Sequence, residues 1–203
     1  MPSHRIALVT ASAARDLDED LIPLESALRE AGADVAVTAW DDASVDWSRF
    51  QLALLRSTWD YTQRLPEFLA WAERTATRTR LLNPLPAIRW NTDKHYLRDL
   101  DKAGVAIVPS ACVEPGEDAT AALAGFQHAH PTDEFVAKPA IGAGSRDAQR
   151  YHSSDRNDAI AHARRLLDAG RSVLLQPYLD RVDEHGETAL VFFDGEFSHA
   201  IRK

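Results

Sequence analysis

A chain of 203 residues, 45% hydrophobic and 27% charged, has the composition of an ordinary globular protein of one or two domains, which excludes a mini-protein that must be stapled. Its 31 acidic residues against 23 basic ones leave a net charge of −8, which argues against nucleic-acid binding; its apolar runs fall well short of the roughly 20 residues that span a bilayer, which argues against a membrane protein. The lone cysteine, Cys112, excludes a disulfide framework or cysteine-ligated zinc, and MPSHRIALVT is too poor in apolar residues for a signal-peptide core, so a cytoplasmic protein is expected.

The first forty residues alternate element types: an apolar strand from Ile6 to Val9, a polar loop, an amphipathic helix over Asp18 to Ala31 stopped by Gly32, and a strand over Val35 to Ala39. A second apolar run, Gln51 to Leu55, leads through RSTWDY to a helix over Leu65 to Thr77 and a short strand near Leu81. This alternation predicts an open parallel sheet whose loops Thr10 to Arg15 and Arg56 to Tyr61 lie at the carboxyl ends of strands, where such sheets bind ligands. The prolines of Asn83-Pro84-Leu85-Pro86 then break the pattern and place a domain boundary near residues 84–91. Beyond it the expected order is a helix over Thr92 to Ala103, a strand over Val105 to Val108, a helix over Asp118 to Ala129 and a strand over Glu134 to Lys138. A loop from Pro139 to Asp147, a helix over Arg156 to Ala169 and a strand over Val173 to Gln176 follow. Glu187 to Phe193 and Glu196 to Arg202 make a hairpin around Asp194-Gly195, and its second strand runs into Lys203 as if the chain stopped inside a sheet.

With only four lysines in the chain, Lys94, Lys102, Lys138 and Lys203, each one is informative. In FVAKPAIGAGSRDAQRY, Lys138 ends an apolar strand and a loop holding Gly142, Gly144 and Ser145 follows at once. Glycines let backbone N–H groups converge on an anion and a neighbouring ammonium supplies charge, which describes a phosphate cradle; the same residues also suit a flexible hairpin loop beside an incidental lysine. The lysine precedes the glycines and no GK[ST] follows, so the loop is not a Walker motif, and the glycine-free Thr10 to Arg15 loop argues against a dinucleotide-binding dehydrogenase. Lys94 falls in the first turn of a helix that Asn91 or Thr92 would cap; it either faces a bound polyphosphate or is a solvated surface lysine. Gln176-Pro177-Tyr178-Leu179 ends an apolar strand at a proline, which would free backbone groups for an adenine ring, and Glu187 could accept from ribose hydroxyls; structural roles suit these residues too. Arg56, near Asp60 and Tyr61, could clamp a substrate carboxylate bidentately, or it pairs with Asp60. His128-Ala-His130 is spaced too closely to converge on a metal, and no serine sits in a GxSxG context.

Taken in order, Asn91-x-x-Lys94, the strand with Lys138 and its glycine loop, Gln176-Pro-Tyr-Leu and Gly186-Glu187 resemble the ATP-grasp superfamily of ATP-dependent ligases. More narrowly, RSTWDY, LLNPLPAIRWNTDKHYLRDL and GETALVFFDGEFSHAIRK resemble the O-ureido-D-serine cyclo-ligase subfamily of cycloserine biosynthesis, over residues 50–203. The resemblance implies an α/β protein: a pre-ATP-grasp, Rossmann-like parallel-sheet domain over 1–88, then an incomplete α+β ATP-grasp domain over 89–203 with a lid over about 105–178. It implies that Lys94 and Lys138 contact ATP phosphates, that Gly142, Gly144 and Ser145 belong to a flap, that Gln176, Pro177, Tyr178 and Leu179 form the adenine hinge, and that Glu187 meets the ribose. An amino-acid-like carboxylate would become an acyl phosphate, captured by an amine-type nucleophile from a second molecule or by ring closure, with Lys138 and Arg56 as the catalytic candidates. The family's Mg²⁺ ligands would fall beyond Lys203, so no metal ligand is assigned here, and a truncated piece inactive on its own is expected. The alternative is a nucleotide-binding regulatory or partner-binding module without chemistry, and a homo-oligomer remains compatible with either.

Overall fold

The computed structural model describes residues 4–202; Lys203, and with it the abrupt end read there, lies outside them, as do residues 1–3 of the opening segment. Contacts group the chain into two units, the first running through Ala106 and including Pro139–Asp147, the second taking Ile107–Lys138 and the chain from Ala148 on.

In the first unit β1 (Arg5–Thr10), α1 (Leu21–Glu30), β2 (Asp34–Ala39), β3 (Leu52–Ser57), α2 (Leu65–Ala76) and β4 (Arg80–Leu82) build a sheet of order β2-β1-β3-β4 whose pairings are all parallel. Strands of such a sheet are covered on both faces and so read as apolar runs. The alternation along β1 confirms it: Ala7 and Val9 face Phe68, Trp71 and Ala72 of α2, while Leu8 faces Leu21, Leu24 and Leu28 of α1. Burying each large side chain in these layers contributes about 1.5–3 kcal/mol. Helix α1 begins later than expected, because Asp18 is spent on a turn ahead of it: its carbonyl accepts from Leu21 N–H and its carboxylate from Asp20 N–H.

The proline pair does not break the chain's order. Pro84 is the N-cap of α3 (Leu85–Asn91) and Pro86 lies in its first turn, where an N–H has no intrahelical partner to lose. The single helix expected over 92–103 is instead a turn followed by α4 (Tyr96–Lys102). No strand forms over 105–108; Val105 N–H donates to Leu100 C=O and Gly104 N–H to Asp101 C=O, so Val105 closes the helix end around the left-handed Gly104.

The second unit holds β5 (Ala111–Val113), α5 (Ala119–Ala129), β6 (Glu134–Pro139), β7 (Gln149–His152), α6 (Arg156–Asp168) and β8 (Val173–Pro177), with sheet order β5-β8-β6-β7. Helices α5 and α6 cover one face, packing Leu123, Phe126, Ala163 and Leu166 on Phe135, Ala137, Val173 and Leu175. Strand β7 escaped sequence reading because Tyr151 is its only buried residue, and so did the five-residue α7 (Arg181–His185), which buries none. The hairpin of β9 (Thr188–Phe193) and β10 (Glu196–Arg202) forms as expected; Asp194 and Gly195 both take positive φ, 51° and 83°, the turn whose twist suits two antiparallel strands. Among the described residues no helix is long and apolar enough to cross a membrane.

Candidate functional site

In the first sheet the chain leaves β1 toward β2 and returns on the other side as β3, so the topological switch lies between the carboxyl ends of β1 and β3. A single helical turn follows each strand there, Ser12–Ala14 and Trp59–Thr62. An open cavity of about 550 Å³ occupies this place, lined by Ala14, Leu17, Trp59 and Gln63 and by Gly144 and Arg146 of the glycine loop. The sequence pointed to the two loops and the glycines and gave Trp59 only a packing role, while Gln63 and Arg146 were assigned nothing; the signal was their position beside RSTWDY and GAGS.

Lys94 lies in the turn between α3 and α4 rather than in a helix, so neither Asn91 nor Thr92 caps it; Thr92 is the C-cap of α3. Its backbone N–H donates to Ala140 C=O (3.0 Å), and its Nζ donates to the carbonyls of Ala140 (3.2 Å) and Gly142 (2.9 Å). The ammonium therefore grips the first half of the glycine loop. A Cβ on Gly142 would stand 3.1 Å from Pro139 Cγ, a crowded approach, and 3.8 Å from Lys94 Nζ, an ordinary contact. Gly144, Ser145 and Asp147 follow with φ of 62°, 56° and 57°; the two non-glycine residues sit in a backbone region that normally costs them about 1 kcal/mol or more.

In the second unit β6 alternates cleanly: Phe135, Ala137 and Pro139 are buried, while Glu134, Val136 and Lys138 occupy the other face. Half-burial pushes the Lys138 ammonium below its ordinary pKa, and the Glu187 carboxylate acts against that shift. Glu187 itself is exposed, one residue ahead of β9. The expected phosphate lysine thus senses the charge of the expected ribose carboxylate.

Residues Gln176 to Leu179, the expected hinge, are less open than expected. Gln176 is buried and its amide donates to Ser110 Oγ (2.7 Å), a partner sequence reading missed. Tyr178 N–H is not freed by Pro177, because β6 lies beside β8 and Glu134 C=O accepts from it at 2.9 Å. Leu179, just past it, is 48% exposed.

Arg56 pairs with Asp18 and Asp20 rather than with Asp60. Its Nε and Nη2 fork the carboxylate of Asp18 (3.0 and 3.1 Å) and Nη2 also reaches Asp20 (2.8 Å), so its bidentate face is filled by the protein itself. Burial would lower its pKa, but these two carboxylates outweigh that and raise it. Asp60 serves Trp40 Nε1 (2.8 Å) and Arg64 (3.4 Å) instead. Among the described residues no group of three or more His, Cys, Asp or Glu could hold a metal ion.

Residues 6–83 match the family model of the D-cycloserine synthetase DcsG N-terminal domain. The cycloserine biosynthesis protein DcsG of Streptomyces lavendulae is 48% identical over 199 residues, covering 98% of this chain and 67% of that protein. A crystal structure of D-cycloserine synthetase DcsG superposes with a TM-score of 0.93 at 48% identity, over 98% of this chain and 67% of that one. At the level of fold alone, a RimK domain ATP-grasp protein from Sphaerobacter thermophilus follows with a TM-score of 0.63 at 18% identity, over 86% of this chain and 64% of that one. D-alanyl-alanine synthetase A from Vibrio cholerae gives 0.63 at 11%, over 98% and 65%. A parallel-sheet unit, a glycine loop pinned by a lysine and near-half identity along almost the whole chain converge: the protein belongs to the DcsG family and has the ATP-grasp fold.

Proposed function

We propose that this chain is the nucleotide-handling part of an ATP-dependent carbon–nitrogen ligase acting on an amino-acid-like carboxylate, a reading supported by its ATP-grasp fold and by its likeness to a cycloserine biosynthesis protein and a D-cycloserine synthetase. The carrying observation is Lys138, an ammonium kept half-buried at the mouth of a glycine loop with its charge disfavoured, a placement that suits phosphate oxygens better than water. Lys94 supports the same reading by gripping the first half of that loop at Ala140 and Gly142.

In this reading a substrate carboxylate oxygen bonds to the γ-phosphorus, the bond to ADP breaks, and an amine nitrogen then displaces phosphate from the acyl carbon. Lys94 and Lys138 offset the charge of the triphosphate, and the Gly142 to Ser145 backbone closes over it. Gln176 to Leu179 receive the base and Glu187 the ribose. The carboxylate would lie in the switch-point cavity, where Arg146 rather than the filled Arg56 offers an exposed guanidinium. Mg²⁺ ordinarily accompanies ATP, but the residues described supply no set of ligands for it and no step is assigned to it.

The test is phosphate and ADP release by the full-length protein with amino-acid hydroxylamine or ureido-amino-acid substrates. Lys138→Ala is expected to lower turnover at least about a hundredfold. Undiminished turnover removes the lysine from the chemistry. Nucleotide binding with no release by the wild type replaces the ligase with a non-catalytic module.

A further inference from the structure

Three side chains from three elements of the second unit, Glu134 of β6, Arg150 of β7 and Asp183 of α7, close a ring around Tyr178. Arg150 of β7 lies flat on the Tyr178 ring, its Cζ 3.6 Å from the centroid. The Arg150 Nε donates to Glu134 Oε1 (2.9 Å), Nη2 to Glu134 Oε2, and Nη1 to Asp183 Oδ2 (2.8 Å). Asp183, on α7, accepts from Tyr178 Oη with its other oxygen at 2.5 Å, and Glu134 accepts from Tyr178 N–H through its backbone carbonyl. Every polar atom of Tyr178 that could let it turn is therefore tied, and one aromatic face is covered by a planar cation.

This much order is unusual for an exposed arginine. Isolated surface ion pairs contribute little, because two long side chains must be held in one geometry. Here one guanidinium joins two carboxylates and a ring, a use that needs the planar fork and that lysine cannot reproduce. The residue so fixed is the third of the four hinge positions, and its neighbour Leu179 carries the next backbone groups in line. Nothing in the chemistry of phosphate transfer needs Arg150, and its charge is fully spent on protein partners.

We propose that Arg150 is a positioning residue for the nucleotide base: by stacking on Tyr178 and bridging Glu134 to Asp183 it holds the hinge backbone in the register that selects adenine. The proposal rests on the nucleotide-binding reading above and adds a determinant of base selectivity to it. A loose hinge would present the same donors and acceptors over a spread of positions and lose discrimination before it lost chemistry.

The experiment uses the full-length protein and compares wild type, Arg150→Lys, Arg150→Met and Asp183→Asn. Binding of non-hydrolysable ATP and GTP analogues is followed by titration calorimetry, and kcat and KM are measured with both nucleotides. Each variant is expected to raise the KM for ATP roughly three- to tenfold, narrow the ATP-over-GTP preference by a similar factor and leave kcat with saturating ATP within about twofold. Arg150→Lys, which keeps charge but not the stack, should fail to restore the preference. An unchanged preference, whatever happens to the melting temperature, overturns the proposal and leaves Arg150 a structural clamp. Should Arg150→Met not fold, Asp183→Asn decides the matter alone. Failure of the wild type to bind either analogue overturns the nucleotide reading itself, a result distinct from binding without selectivity loss in the variants.

Discussion

Lys138 is held half-buried at the end of β6, with its charged form disfavoured by lost solvation and the Glu187 carboxylate acting against that. Because its folded-state pKa lies below that of the unfolded chain, between the two values the unfolded chain binds more protons, and stability rises with pH through that window. Lys138→Met should therefore raise the thermal midpoint by about 1–3 °C at neutral pH, a figure already reduced for partial exposure, and the advantage over wild type should shrink as pH climbs toward 10.5. Calorimetric melts across pH 7–10 check this; a gain that does not fall with pH counts against burial as the cause. Gly142 gives a second residue-level expectation. A methyl there must displace the Pro139 ring, so Gly142→Ala should raise the KM for ATP several-fold while changing global stability by less than about 1 kcal/mol, as measured by urea unfolding beside steady-state kinetics.

At the scale of elements, α3 shows how position decides what a proline does. Pro86 sits in the first turn, so Pro86→Ala should move the unfolding free energy by no more than about 1 kcal/mol, whereas a proline three residues on, Arg89→Pro, should cost about 3 kcal/mol. Urea denaturation of the two variants distinguishes the cases. The same helix marks the limit of what the sequence discloses. Long periodic segments such as α2, α5 and α6 were legible because their buried residues recur at helical spacing, and β1 and β8 because central strands are apolar on both faces. Element ends were not legible where tertiary partners decide them: Asp18 is drawn into a turn that also feeds Arg56, and Val105 completes a helix stop instead of a strand. For the site, glycine spacing and lysine scarcity pointed to the loop and its two ammonium groups. Which carboxylate fills the Arg56 fork depends on residues 38 positions apart, and the Arg150–Asp183 bridge beside Tyr178 on residues 33 apart, separations that no local pattern links.

For the molecule as a whole, the β9–β10 hairpin leaves Leu190, Phe192, Phe193, Phe197 and Ile201 each at least 48% exposed, and Phe192 and Phe197 pair edge to face across it. So much apolar surface on two strands favours association. The 203-residue chain by itself is expected to sediment as concentration-dependent oligomers, and Phe192→Lys with Phe197→Lys to restore the monomer; sedimentation velocity over a tenfold range of concentration is the check. A different consequence follows from the path of the backbone. The polypeptide passes from the first unit to the second after Ala106, goes back for Pro139–Asp147, and leaves again. No single genetic cut can therefore harvest either half intact: a fragment beginning at Ile107 carries Ala140 and Gly142 away from the ammonium that tethers them, and one ending at Ala106 keeps the tether with nothing to hold. Dissection of this protein into separately expressed pieces would undo the Lys94 tether before any residue of it had been altered.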